Sequence, residues 1–164
     1  MKKRYYVILF AFIFFVLFNF LSQFRLVLIS GQSMEPTLHN NTLIFLRKEN
    51  EIQREHIVSF TAPKSWSYLE DKSLIKRVIA GPNDNLKINS DFVYVNNKER
   101  VRIKGKVRIE QELDITLKED EYFVMGDNVG RSNDSLYEYS LGNNDFLVKR
   151  NLITYSTGDY PFEK

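Results

Sequence analysis

Leu74-Ile75-Lys76-Arg77-Val78-Ile79 is a short, branched, apolar run with two cations set into it, and after Ala80 it meets the turn-forming cluster Gly81-Pro82-Asn83-Asp84. It reads as a buried strand. By the two-residue alternation of a strand, Leu74, Lys76 and Val78 share one face, so Lys76 lies on an apolar side. Most strand lysines point into water at an edge. A lysine held among Leu and Val side chains is instead desolvated, which disfavours its charged form.

Similar runs lie on either side. Arg25 to Ile29, Thr42 to Leu46 and His56 to Phe60 read as strands, with charged Arg47 to Glu55 as a connecting loop. Leu86 to Ile88 and Phe92 to Val95 flank an Asn89-Ser90-Asp91 turn, and Asn96-Asn97 closes the second run as a hairpin would. Residues 101–109 alternate apolar and basic, and Tyr122 to Met125, Phe146 to Val148 and Leu152 to Tyr155 complete the set. So many short strands separated by turn signals predict a mainly β domain. Pro63 to Tyr68 reads as a loop carrying the lone Trp66, placed either at a membrane interface or in a satellite packing role.

The chain has 164 residues, room for one modest domain and a membrane segment. Its formal charge is +2, from 23 basic and 21 acidic residues. Lys2, Lys3 and Arg4 hold three of the positive charges, so the remainder is close to balance, which argues against a nucleic-acid surface. There is no cysteine, hence no disulfide, thiolate metal site or cysteine nucleophile. His39 and His56 are isolated, no spacing suggests a metal site, and no cofactor is implied.

Tyr5 to Leu21 reads YYVILFAFIFFVLFNFL, with Asn19 its only strongly polar side chain. As helix it would rise about 26 Å, against a hydrocarbon core of ~30 Å, so Ser22 to Phe24 extend it. The basic triplet before it, with Arg25 the only Lys or Arg from Tyr5 to Leu46, puts residues 1–4 in the cytoplasm. The expectation is a single-pass anchor over 5–24 in a lipid bilayer and an extracytoplasmic domain over 25–164. The competing reading is a cleavable signal peptide, against which the run is long and no small-x-small site cleanly follows it.

Just past this segment lies Ser30-Gly31-Gln32-Ser33-Met34-Glu35-Pro36-Thr37-Leu38. A serine hydroxyl needs a partner to take its proton, and neither histidine sits in a triad-like setting. Lys76 can serve if it is neutral, which requires its pKa to fall from about 10.4 toward 7, roughly 3 units or ~4 kcal/mol. Ser73-Leu74-Ile75-Lys76 also fits the S-x-x-K pattern of penicillin-binding enzymes, but that pattern works on a helix, and neither K-T-G nor S-D-N follows.

These stretches resemble the type I signal peptidases, membrane-bound Ser-Lys proteases. Ser33 matches the nucleophile of the S-x-M-x-P-T-L box, and Lys76 the base of the K-R-V-I-G-x-P-G-D box, with Ala80 and Asn83 replacing two glycines. Gly126-Asp127-Asn128-Val129-Gly130-Arg131-Ser132-Asn133-Asp134-Ser135 matches G-D-N-x-x-x-S-x-D-S. The resemblance implies a signal-peptidase-type catalytic domain, cleavage of signal peptides from exported preproteins, Ser132 as hydrogen-bond partner of Lys76, and Asp134 in a structural ion pair. Leu136 and Val129 stand where arginine is usual, which makes Arg77 the nearest candidate partner for Asp134. Substrate is expected as an added strand beside Val27, Ile29, Gly31, Met34 and Ile75, with shallow pockets for small residues at the first and third positions before the cut. Gly31 lacks the hydroxyl that some relatives use on the oxyanion, leaving that task to backbone N–H groups. Two further classes fit the same outline. One is a weakly active assembly factor for a surface structure such as a pilus, which would be expected to have lost Ser33 or Lys76. The other is a self-cleaving repressor-type peptidase, which would carry a DNA-binding domain in place of the apolar segment.

Overall fold

The computed structural model describes residues 2–66, 69–105 and 107–158. Helix α1 (Lys2–Leu21) contains neither glycine nor proline, and every side chain from Tyr6 to Leu21 is exposed. Ser22 to Phe24 do not extend it as expected, since Ser22 and Gln23 turn the chain and Phe24 opens a strand, so the apolar part rises only about 26 Å against a ~30 Å hydrocarbon core. Among the described residues, no helix is long and apolar enough to cross a membrane.

The rest is mainly β. A seven-stranded sheet contains β1 (Phe24–Leu28), β2 (Leu43–Arg47), β3 (Ile57–Thr61), β4 (Ser73–Ala80), β9 (Glu121–Met125), β10 (Val148–Lys149) and β11 (Ile153–Ser156). Their order is β1-β2-β11-β3-β4-β9-β10, with every pair antiparallel. A second sheet, β5 (Asn85–Ile88), β6 (Phe92–Val95), β7 (Lys98–Arg102) and β8 (Leu113–Thr116), has the order β7-β6-β5-β8. The Gly81–Asp84 turn between them forms as its composition predicts, with the Asp84 side chain accepting from Gly81 N–H at 2.9 Å. Asn83 sits there at φ 64°, a left-handed conformation that asparagine adopts more readily than most residues. That explains how a non-glycine fills this place.

Three apolar clusters hold these layers. Leu86, Val93, Val95, Phe123, Leu136 and Phe146 pack between the small sheet and β9. Val58, Phe60, Trp66, Val78 and Val124 form a second cluster, and Ile29, Met34, Leu38, Ile44, Leu46 and Ile57 a third. Trp66 is fully buried, its ring edge-on to Phe60 and its Nε1–H donating to Asp145 O at 3.0 Å. It is a packing residue and has no face free for a bilayer.

Other expectations need correction. The alternating stretch 101–109 stays in strand only to Arg102, because Gly105 turns at φ 83° and Ile103 N–H is drawn to Asp91 O. Its alternation still sorts the side chains, with Val101, Ile103, Val107 and Ile109 packed on the core. Phe146 and Leu147 are core residues outside any strand, and β10 begins only at Val148. Four elements were not expected: β8, two short 3-10 turns at Val129–Arg131 and Arg150–Leu152, and helix α2 (Ser135–Ser140), which Asp134 caps by accepting from Leu136 N–H and Tyr137 N–H. Ser67, Tyr68, Lys106 and residues 159–164, which belong to the predicted loop, the alternating stretch and the end of the predicted domain, lie outside the described residues.

One topological detail opens the site. β9 pairs with β4 only from Arg77 onward, opposite Met125, so the Ser73–Lys76 edge has no ladder partner on that side. β1 is likewise an outermost strand. Four antiparallel steps separate β1 from β4, which therefore run in the same direction.

Candidate active site

Ser33 lies in the turn after β1. Ile29 N–H donates to Thr42 O and Asn41 N–H returns to Ile29 O, each at 2.8 Å, clamping the end of the strand. Gly31, at φ 98°, then reverses the chain, its N–H donating to Asn40 Oδ1 at 2.9 Å. Met34 and Leu38 plug the third core cluster from the same turn. With both neighbours anchored, Ser33 is held half-buried facing β4.

There it meets Lys76, 4% exposed, whose Nζ lies 2.8 Å from Ser33 Oγ and 3.0 Å from Ile75 O. Leu74 and Val78, two residues away on either side, belong to one apolar cluster with Val58, the cross-strand partner of Lys76. Burial pushes the Lys76 pKa below its ordinary value, and the negative charges of Asp134 and Asp127 oppose that shift without reversing it. The result is a desolvated amine in hydrogen-bond contact with a hydroxyl, the arrangement a neutral lysine needs to accept a serine proton. Ser73, three residues along a strand, faces the other way, and its Oγ lies 3.4 Å from Ser59 Oγ.

The segment after β9 packs behind this pair. Gly126 N–H donates to Asp134 Oδ2 at 2.9 Å, while Leu136 N–H and Tyr137 N–H supply Oδ1 at 3.1 and 3.2 Å. Asp134 is thus satisfied by backbone donors and needs no arginine at position 136, which is why Leu136 can enter the core there. Burial raises the Asp134 pKa, with Ser132, the N–H groups of Gly126 and Tyr137, and the Lys76 charge pulling the other way. Ser132 is buried beside it, its hydroxyl near enough to help hold the Asp134 carboxylate charged, but it makes no hydrogen bond to Lys76. A Cβ on Gly126 would come within 2.3 Å of Ser132 Oγ and 2.4 Å of Ser33 O, so only glycine fits.

Arg77 does not pair with Asp134. Its Nε and Nη2 donate to the two carboxylate oxygens of Asp127 at 2.8 and 2.7 Å, and Nη1 donates to Glu55 O at 2.8 Å. On a strand Arg77 must point away from Lys76, and Asp127, two residues past the end of β9, is the carboxylate on that side. Asp127 was missed as a partner although it stands in the G-D-N box, because motif order carries no information about sheet faces. Asn128 completes the link to the serine loop, its N–H donating to Ser33 O at 3.0 Å and its Nδ2 to Gln32 O at 3.1 Å.

Between the free edges of β1 and β4 runs a cleft of about 360 Å³ that contains Val27, Ile29, Met34 and Ile75 beside Ser33 and Lys76. Gly31 is not among its lining, and a side chain there would meet nothing within 4 Å. His39 is exposed and His56 buried, and among the described residues no group of His, Cys, Asp or Glu is placed to hold a metal ion.

The family model described as signal peptidase, peptidase S26, matches residues 2–155. The chain belongs to this family. That places it among peptidases. It is 31% identical over 132 residues to signal peptidase I of Bacillus amyloliquefaciens, an alignment covering 71% of this chain and 66% of the relative. It is 30% identical over 149 residues to signal peptidase I U of Bacillus subtilis (strain 168), covering 82% and 75% of the two. The crystal structure of a signal peptidase I from Enterococcus faecalis V583 is similar at a TM-score of 0.45 and 23% identity, over 63% of this chain and 94% of that one.

Proposed function

We propose that this chain is a membrane-held serine endopeptidase that removes signal peptides from exported preproteins, with Ser33 as nucleophile and Lys76 as general base. The observation that carries this reading is the 2.8 Å contact between Ser33 Oγ and a lysine nitrogen buried on an apolar strand face. Ser33 Oγ attacks the scissile carbonyl carbon as its proton passes to Lys76 Nζ. The tetrahedral oxyanion is met by backbone N–H, that of Ser33 foremost. Collapse breaks the C–N bond, and Lys76 gives its proton to the leaving amine. Water then attacks the ester, losing a proton to Lys76, which returns it to Ser33 as the acyl group departs. Ser132 and Asp134 support the lysine from behind, and Arg77 holds its strand in register through Asp127.

Substrate enters as a strand between β1 and β4, whose free backbone groups offer affinity with little demand on sequence. Ile29, Val27, Met34 and Ile75 shape shallow apolar pockets for small side chains at the first and third positions before the cut.

In this reading the apolar helix lies in the bilayer with residues 1–4 cytoplasmic and the domain outside. Phenylalanines are exposed around α1, such as Phe10 at 72% and Phe15 at 65%. An apolar face continues onto the sheet, where Leu26 opposes Phe45 and Leu28 opposes Leu43, all four exposed. An apolar surface of this extent, beginning at the helix end, calls for a lipid environment.

The test is incubation of the detergent-solubilised full chain with a panel of preproteins, the cut sites being mapped by mass spectrometry. Cleavage after small residues by the wild type, and none by Ser33→Ala, is expected; equal turnover by Ser33→Ala overturns the reading. Protease added to protoplasts should digest the region after residue 25, and protection there overturns the topology.

A further inference from the structure

Alternation along β1 sends Val27 and Ile29 into the cleft and leaves Leu26 exposed on the other side, while Leu28, also exposed, borders the cleft at its rim. Arg25 shares the inward face. Its guanidinium lies over the Tyr155 ring, 5.7 Å from the centroid, and Tyr155 packs on the same apolar cluster as Val27. Arg25 therefore lines the cleft that holds Ser33 and Lys76, at the end nearest α1.

Arg25 and Lys76 are the only charged residues in that lining. Lys76 works in its neutral form. Arg25 brings a guanidinium, and among the described residues no carboxylate pairs with it. Arg25 is itself exposed at the rim of the cleft, and stacking on a ring orients its planar fork while leaving N–H donors unspent.

We propose that Arg25 is a specificity-determining residue that selects preproteins with a carboxylate side chain at the fifth position before the scissile bond. This rests on the added-strand reading above. A signal peptide reaching the site from the bilayer runs from the α1 end of the cleft toward Ser33, parallel to β1. Residues of two parallel strands advance together, at about 3.3 Å each. If Ile29 and Val27 serve the first and third positions before the cut, the next inward residue of β1, Arg25, meets the fifth. An aspartate or glutamate there accepts from the guanidinium, a neutral residue gains nothing, and a lysine is repelled.

The experiment uses the full chain in non-ionic detergent and three peptide substrates identical except for Asp, Gln or Lys at that position, with cleavage followed by mass spectrometry. The wild type should cut them in the order Asp, Gln, Lys, with about fivefold in kcat/KM between the ends, the size of a partly exposed ion pair. Arg25→Glu should reverse the order and Arg25→Gln should flatten it. Equal rates in the wild type, or an unchanged order in Arg25→Glu, overturn the inference while leaving the peptidase reading intact. An order that appears only when anionic lipid vesicles are added also overturns it, since Arg25 would then be meeting headgroup phosphates. A folded wild type that cuts none of the three, or a Ser33→Ala variant that cuts them as fast, overturns the peptidase reading itself.

Discussion

Arg77 and Asp127 clasp each other through two hydrogen bonds of 2.8 and 2.7 Å, and each stands one residue from the machinery it serves. Arg77 follows Lys76 on β4. Asp127 precedes Asn128, whose N–H holds Ser33 O. The pair thus fastens the strand of Lys76 to the loop of Ser33, and both side chains are largely shielded from solvent. Asp127→Asn should keep the fold, cost about 2 kcal/mol in urea unfolding because a partly buried guanidinium loses its counter-ion, and lower kcat more than KM. Unchanged kcat with the same stability loss would show that the clasp supports the sheet without aligning the dyad.

Removing either member of the dyad should separate chemistry from stability in opposite ways. Ser33→Ala should fold normally and turn over no substrate. Lys76→Met should be equally inactive yet more stable than the wild type at neutral pH. The sign follows from the lowered Lys76 pKa: below it the lysine is charged in folded and unfolded chain alike, and the folded state bears the full desolvation cost. As pH rises through the lowered value toward 10.5, the folded lysine loses its proton first and the wild type recovers. The advantage of Lys76→Met in thermal melts should therefore be largest at low pH and fade toward pH 10.5; an advantage constant with pH would mean that burial does not shift this amine.

The same shift sets the activity profile. Turnover should rise with pH on an ascending limb whose midpoint lies below the ordinary lysine value, as the amine becomes able to accept a proton. Lys76→Arg should be inactive at every pH, since guanidinium does not deprotonate. An active Lys76→Arg enzyme would remove lysine from the role of base.

Gly126→Ala tests the close packing behind the dyad. The new methyl would lie 2.3 Å from Ser132 Oγ and 2.4 Å from Ser33 O, and the second of these contacts is backbone that cannot rotate away. The Ser33 turn must shift, at a cost of about 1–3 kcal/mol, and a displacement of even ~1 Å at the nucleophile lowers turnover by about a hundredfold. Near-normal kinetics would show that the turn tolerates movement.

Ser132→Ala removes a buried hydroxyl that lies beside Asp134 and makes no hydrogen bond to Lys76 in the resting structure. Asp134 keeps its three backbone donors, so stability should stay within about 1 kcal/mol of the wild type. If Ser132 steadies Lys76 during catalysis, kcat should fall while the melt does not change. No kinetic change would confine Ser132 to packing around Gly126.

Much of the fold was legible in the chain because strands announce themselves through alternation and turns through composition. Arg25 to Ile29, Leu74 to Ile79 and Phe92 to Val95 all lie within a residue or two of the observed strands. β8 escaped because Leu113-Asp114-Ile115-Thr116 is short and framed by charge, and it becomes a strand only by pairing with β5. α2 escaped because six residues make a marginal helix alone; the Asp134 cap and the burial of Leu136 make it form.

Local pattern in the chain marks which residues are chemically apt. A lysine flanked by apolar β-branched residues, and a serine in an anchored turn, carry their burial and exposure in local pattern, because a strand's two faces follow from a two-residue repeat. Which side chains then meet was decided only by tertiary structure. Arg77 takes Asp127 and leaves Asp134 to backbone donors, Trp66 turns inward onto Phe60, and Arg25 joins the cleft of Ser33. Each of these depends on which faces of distant strands come together, and the register and edges of a sheet are settled by pairing across the whole domain, which a local stretch of chain does not encode.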